Sequence, residues 1–228
     1  MENLLLKIMA ESFERKQADE KKQVKNLPFI TISREYGCQA NLLAVMLKQE
    51  LDKSGVPWRI VNKEIIYNAA KELNLHPDKI SNISGAVNRT QMDEVLHALS
   101  TKYYKSDRKI RQTLASVVMN TAQSGHSIIV GRAGAAITKD IHPAIHIHMI
   151  APLEWRLNSL LKRNGLKREE TLKDLTSIDH KRYKLIRDYL KWAEPNEQLF
   201  DLTINCSTVS HLEMLEIILK LAAMRKII

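Results

Sequence analysis

Apolar positions along the chain follow two periods that alternate from one end to the other. Short, largely β-branched runs read as buried strands: Phe29-Ile30-Thr31-Ile32, Val56–Val61, Ser127-Ile128-Ile129-Val130, Ala144–Ile150 and Leu202–Cys206. Between them apolar residues return at helical spacing, over Leu42–Leu51, after Asn62-Lys63-Glu64, over Gln91–Tyr104, Arg108–Gln123 and Leu153–Arg163, through 166–193 and after Ser210. The punctuation agrees. Ser54-Gly55, Ser124-Gly125 and Asn164-Gly165 stop helices, His76-Pro77 ends another, and Pro152 suits a first helical turn. Ser210-His211-Leu212-Glu213 has the form of a capping box. Residues 1–26 predict a charged amphipathic helix, and 78–87 a loop. Strands and helices in alternation argue for an α/β domain, a parallel sheet between two helical layers.

In such a sheet a ligand lies beyond the C-terminal strand ends, where Ser33–Asn41 and Gly131–Gly134 fall. The first of these follows a strand and leads into a helix. That arrangement aims unpaired N–H groups and a helix N-terminus at a phosphate. The full phosphate-loop signature GxxxxGK[ST] is incomplete, because Ala40 stands at the glycine, Asn41 at the cation and Leu42 at the hydroxyl. The ordinary alternative is a βα turn that binds nothing.

Arg132 is the strongest single candidate, a guanidinium in a glycine-flanked turn directly after a buried strand. Arg34 and Glu35 occupy the equivalent place after the first strand. His142, His146 and His148 share one strand face and invite a metal, though no carboxylate or cysteine accompanies them.

Charge narrows the partners. Of the net +9, residues 162–191 contribute +5, from ten Lys/Arg against five Asp/Glu. A basic segment of this kind predicts an anionic partner, either nucleotide phosphates or a nucleic-acid backbone. Asp179, Lys181, Arg182 and Arg187 within it suit a cationic flap over a polyphosphate, and a solvated helix face is the plain alternative. Tyr103-Tyr104 with Lys105, Arg108, Lys109 and Arg111 form a second basic patch on which bases could stack.

The 228 residues suit one large domain better than two small ones. No run approaches the ~18 apolar residues of a membrane span, and MENLLLKIMAESFERKQ is too charged for a signal peptide, so a cytoplasmic protein is expected. Cys38 and Cys206 then read as free thiols, Cys38 either a redox switch or a small packing residue.

Taken together, ITISREYG at 30–37, VNKEII at 61–66, IIVGRAG at 128–134, HMIAPLEWR at 148–156 and DHKRY at 179–183 resemble the cytidylate kinase-like family of P-loop nucleotide kinases, in order and at compatible spacing. The resemblance covers about residues 28–220. It implies a three-layer α/β/α fold with a five-stranded parallel sheet, an acceptor-binding insertion at about 62–107 and a helical lid at about 165–192, within a domain of residues 27–228.

The resemblance further implies ATP and Mg²⁺ as cofactors and transfer of the γ-phosphoryl group to a nucleoside monophosphate or related small acceptor. Gly37, Cys38, Gln39, Ala40, Asn41 and Leu42 would form the ATP phosphate loop, with Arg34 beside it and Arg156 and Arg163 near the donor nucleotide. Asn62 and Glu64 would border the acceptor region and Arg132 would contact the monophosphate. Asp179, Lys181, Arg182 and Arg187 would be lid residues, Arg132, Arg182 and Asp179 acting in catalysis. The chain departs from the family pattern at Cys38-Gln39-Ala40-Asn41-Leu42, which lacks the further glycines and the basic residue. A pseudo-kinase, binding a nucleotide or a protein without turnover, is therefore the alternative, and a nucleic-acid-binding protein a further one. The N-terminal helix would pack on the domain or on a second subunit, giving a homodimer.

Overall fold

The computed structural model describes residues 27–62, 108–165, 167–190 and 197–228. The expected N-terminal helix, Glu64, nearly all of the 62–107 insertion, the Tyr103-Tyr104 pair and the end of the lid lie outside the described residues.

Five strands form one parallel sheet: β1 (Phe29–Arg34), β2 (Arg59–Val61), β3 (Ser127–Val130), β4 (Ala144–Ile150) and β5 (Leu202–Asn205). Their order is β2-β3-β1-β4-β5, with β1 central. Its register sets Ile32 beside Val130 of β3 and Ile147 of β4. Strands buried on both faces need apolar residues at successive positions. Phe29 to Ile32 and Ser127 to Val130 are accordingly buried throughout. β2 is shorter than the Val56–Val61 run, because Val56 is 40% exposed and only three residues join the ladder.

One face is covered by α1 (Ala40–Leu51) and α6 (His211–Met224), whose Leu43, Leu47, Met214 and Ile218 close on Ile30, Ile32, Ile145 and Ile147. The other is covered by α2 (Arg108–Ser124), where Val118 and Ala122 meet Phe29 and Ile129, and by the short α3 (Gly134–Thr138). α4 (Leu153–Asn164) packs on the long α5 (Arg168–Leu190) through Leu157, Leu160 and Leu175. The capping box at Ser210 is present: its hydroxyl accepts from Glu213 N–H, and Glu213 accepts from the Ser210 N–H. No helix among the described residues is long and apolar enough to cross a membrane.

The chain steps outward from β1 to β2, returns to β3, then crosses to β4 on the far side of β1. That reversal of direction opens a crevice at the C-terminal end of β1, between the turns that follow β1 and β3.

Candidate functional site

Two turns build the crevice. After β1, Gly37 has φ +102°, a conformation that favours glycine, and a Cβ there would meet Arg156 Cβ at 2.8 Å. The turn then enters α1 at once. Alternate N–H groups are satisfied within the protein: Tyr36 by Asp179 Oδ1 at 2.6 Å, Cys38 by Glu35 O at 3.3 Å and Ala40 by Cys38 O at 2.9 Å. The N–H groups of Gly37, Gln39 and Asn41 have no partner among the described residues. Gln39, at the N-cap, gives no side-chain cap, and the first turn of α1 carries no acid. These donors and the helix dipole suit an anion. Cys38 and Ala40 are buried, whereas Asn41 and Leu42 are exposed, Leu42 by 45%.

After β3, three consecutive residues are left-handed: Gly131 (φ +77°), Arg132 (φ +56°) and Ala133 (φ +53°). Holding two non-glycine residues there costs on the order of 1–2 kcal/mol each. Such strain is a signature of functional sites. Arg132 Nε is buried without a hydrogen-bond partner among the described residues. The Arg34 guanidinium crosses the same turn, since a Cβ on Gly131 would lie 1.9 Å from Arg34 Nη1. Arg34 thus lies against the turn that carries Arg132, at the C-terminal ends of adjacent strands.

α5 closes one side. Asp179 accepts from Tyr36 N–H and pairs through its other oxygen with Arg156 Nη1. Arg182 Nη1 donates to Arg34 O at 3.2 Å, and its guanidinium lies 5.4 Å from the centre of the Tyr36 ring. Burial disfavours the Arg182 charge, and Asp179 works against that. Lys181, also disfavoured by burial and supported by Asp174, and Arg187, over the Tyr183 ring at 5.8 Å, lie away from these contacts.

Arg156 is buried, and the protein takes up its guanidinium: Nε donates to Ala151 O at 2.8 Å and lies 3.3 Å from Glu35 Oε2, while Nη1 donates to Tyr36 O at 3.1 Å. It joins α4, the β1 turn and α5. Arg163 is exposed and reaches Gly37 O at 3.4 Å from Nη2. Asn62 ends the described segment after β2. The three-residue left-handed turn and the Arg156 strut were not legible in sequence, although Gly131 next to Arg132 was the available signal.

The histidines serve packing. His146 Nδ1 is 2.8 Å from Thr31 Oγ1 and its ring meets Phe29 edge-on, while His148 stacks on Phe200 at 4.6 Å. Burial pushes both imidazoles below their usual range. Among the described residues no group of three His, Cys, Asp or Glu side chains could hold a metal.

A five-stranded parallel sheet with its crevice between two glycine turns defines a nucleotide-kinase-like α/β protein. The chain belongs to the cytidylate kinase-like family, whose sequence profile matches residues 29–208. An uncharacterized protein from Eubacterium ventriosum has a similar structure, with a TM-score of 0.56 and 18% identity over 88% of this chain and 100% of that one. A Thermus thermophilus protein gives a TM-score of 0.48 and 18% identity over 87% and 97%. At 18% identity the first likeness speaks for the fold alone, and the second, below a TM-score of 0.5, carries no argument. A uronate isomerase of Corynebacterium glutamicum is 20% identical over 123 residues, which are 54% of this chain and 23% of that protein. The chain thus spans about a quarter of the length of the curated relative it matches.

Proposed function

We propose that this chain binds nucleotide phosphates between the β1 and β3 turns and transfers the γ-phosphoryl group of ATP to a nucleoside monophosphate or related small acceptor. The observation that carries the reading is Arg132, whose Nε is buried and unpartnered on a strained turn beside Arg34. A buried donor without a partner costs about 1–3 kcal/mol, and an acceptor phosphate would supply the missing bond.

In this reading the N–H groups of Gly37, Gln39 and Asn41 hold the donor's phosphates at the α1 N-terminus. Arg132 holds the acceptor phosphate, with Asn62 and Glu64 bordering the acceptor. An acceptor phosphate oxygen attacks the γ-phosphorus in line and ADP leaves, so the protein's task is positioning and charge neutralisation. α5 supplies Arg182 for that charge, Lys181 and Arg187 lying further along the helix, and Asp179 with Arg156 sets the turn's shape. The loop does not fit Mg²⁺, because Leu42 places a hydrocarbon where an oxygen ligand is needed.

A second reading, a nucleotide-binding module without turnover, is favoured by Asn41 and Leu42, which leave the loop with neither a cation nor a hydroxyl. Calorimetry with ATP, with and without Mg²⁺, on wild type and Arg132→Ala, followed by a phosphoryl-transfer screen over nucleoside monophosphates, separates the two. Binding with transfer supports the kinase, and binding without transfer supports the module. If the folded protein binds no nucleotide, both readings fall.

A further inference from the structure

A polyphosphate needs positive charge beside it, and Mg²⁺ ordinarily brings that charge, held by carboxylate and hydroxyl oxygens next to the phosphates. Two carboxylates stand at the β1 turn, and both are engaged within the protein. Glu35 Oε2 accepts the Ala151 N–H at 2.9 Å and lies 3.3 Å from Arg156 Nε. Asp179 accepts the Tyr36 N–H at 2.6 Å and pairs with Arg156 Nη1. One buried guanidinium therefore meets both carboxylates. Drawing either toward a metal ion would strip that cation of its counter-charge, which destabilises the fold. The helix position that would offer a hydroxyl holds Leu42, an exposed hydrocarbon.

α5 brings charge of another kind to the same turn. Arg182 Nη1 donates to Arg34 O at 3.2 Å, and its guanidinium lies 5.4 Å from the centre of the Tyr36 ring. It thus sits on the turn that leads to the Gly37, Gln39 and Asn41 N–H groups. Asp179 Oδ1 is 4.0 Å from it, the limit of an ion pair, because that carboxylate is given to Tyr36 and Arg156. A guanidinium offers a planar fork of donors that fits two phosphate oxygens at once. We propose that the site selects nucleotide polyphosphate in its metal-free form, Arg182 supplying the charge that a divalent cation otherwise brings and Leu42 denying that cation a ligand. The inference rests on the proposed nucleotide reading and narrows its ligand to the free polyanion of ATP in preference to the magnesium complex. In that complex the phosphate oxygens are already engaged by the ion and its waters, so Mg²⁺ and Arg182 compete for them.

The test titrates the full chain with ATP by calorimetry at constant ionic strength, once in excess EDTA and once with enough Mg²⁺ to complex all of the nucleotide. ATP is expected to bind about tenfold tighter in EDTA, the scale of one charge-assisted contact to phosphate. Affinity that is equal in the two solutions, or higher with Mg²⁺, overturns the proposal. Two variants assign the residues. Arg182→Gln is expected to lose about tenfold in EDTA and little with Mg²⁺, so that the two titrations converge. An Arg182→Gln chain that discriminates as wild type does removes Arg182 from the proposal. Leu42→Asp places an oxygen ligand at an exposed position and is expected to reverse the preference, whereas an unchanged preference removes Leu42 as its cause. Binding in neither solution defeats the nucleotide reading itself. Binding that requires Mg²⁺ leaves that reading standing and overturns only this inference.

Discussion

The carboxylate of Asp179 accepts a 2.6 Å hydrogen bond from the Tyr36 N–H, joining the middle of α5 to the turn after β1 across 143 positions of sequence. Its second oxygen pairs with Arg156, so one side chain occupies a backbone donor of the β1 turn and neutralises a buried cation. A negatively charged group is already seated at the edge of the proposed anion site.

Removing that carboxylate should therefore cost stability. Arg156 has a side chain 8% exposed and Asp179 one 24% exposed. Because Asp179 is partly solvated, Asp179→Ala is expected to cost about 2 kcal/mol, less than the loss for a fully buried pair. Asp179→Asn keeps an oxygen for the Tyr36 N–H and should recover part of it. Urea denaturation measures both, and an alanine variant within about 0.5 kcal/mol of wild type would sink the argument.

The glycine turns give a contrast. Gly37→Ala forces a Cβ to within 3.0 Å of the Arg156 backbone oxygen as well as into a left-handed conformation, whereas Gly55 (φ +85°) faces open space. Gly37→Ala should cost about 3 kcal/mol and Gly55→Ala about 1 kcal/mol. Thermal melts giving the two variants equal shifts would contradict the close approach of α4.

Arg132→Gly separates strain from function. Glycine relieves the left-handed conformation at φ +56° and removes the orphaned Nε. The variant is expected to gain about 1 kcal/mol of stability while losing roughly tenfold or more in monophosphate affinity. Denaturation and calorimetry should move in opposite directions. Loss of both would mean that Arg132 supports the fold instead.

The pattern of apolar residues carried the sheet well because β1, β3 and β4 are buried on both faces, which demands unbroken apolar runs in sequence. The boundaries of β3 and β4 followed directly. β2 is shorter than its apolar run, since Val56 and Trp58 have strand-forming side chains but sit with Pro57 outside the ladder. At the site, the turn positions were legible from Gly37 and Gly131. The roles of individual arginines were not, because charge alone cannot tell the buried Arg156, held by Ala151, Tyr36 and Asp179, from the exposed Arg163.

Acid should loosen the fold through the histidines. Burial depresses the imidazoles of His146, which also feels Asp201, His142 and Arg225, and of His148, beside Asp179. The unfolded chain protonates them near pH 6.5 and the folded chain only below that. Their stabilising contribution is thus complete above about pH 6.5 and is lost as pH falls from there toward the depressed folded values, at up to about 1.4 kcal/mol per unit for each. A His146→Asn/His148→Gln variant should show a flatter stability profile between about pH 7.5 and 5. Profiles that run parallel would exclude the histidines as the cause.

The central place of β1 also sets a timetable for synthesis. Both of its ladder partners lie downstream, β3 beginning at Ser127 and β4 at Ala144. At about 5–20 residues per second, β1 leaves the ribosome on the order of ten seconds before either side can be covered. Nascent chains arrested before residue 127 should leave residues 29–34 open to protease, and those arrested beyond β5 should protect them. An apolar edge unpaired for that long is a hazard of aggregation, so the strand that anchors the finished sheet is the part of the newborn chain most in need of a chaperone.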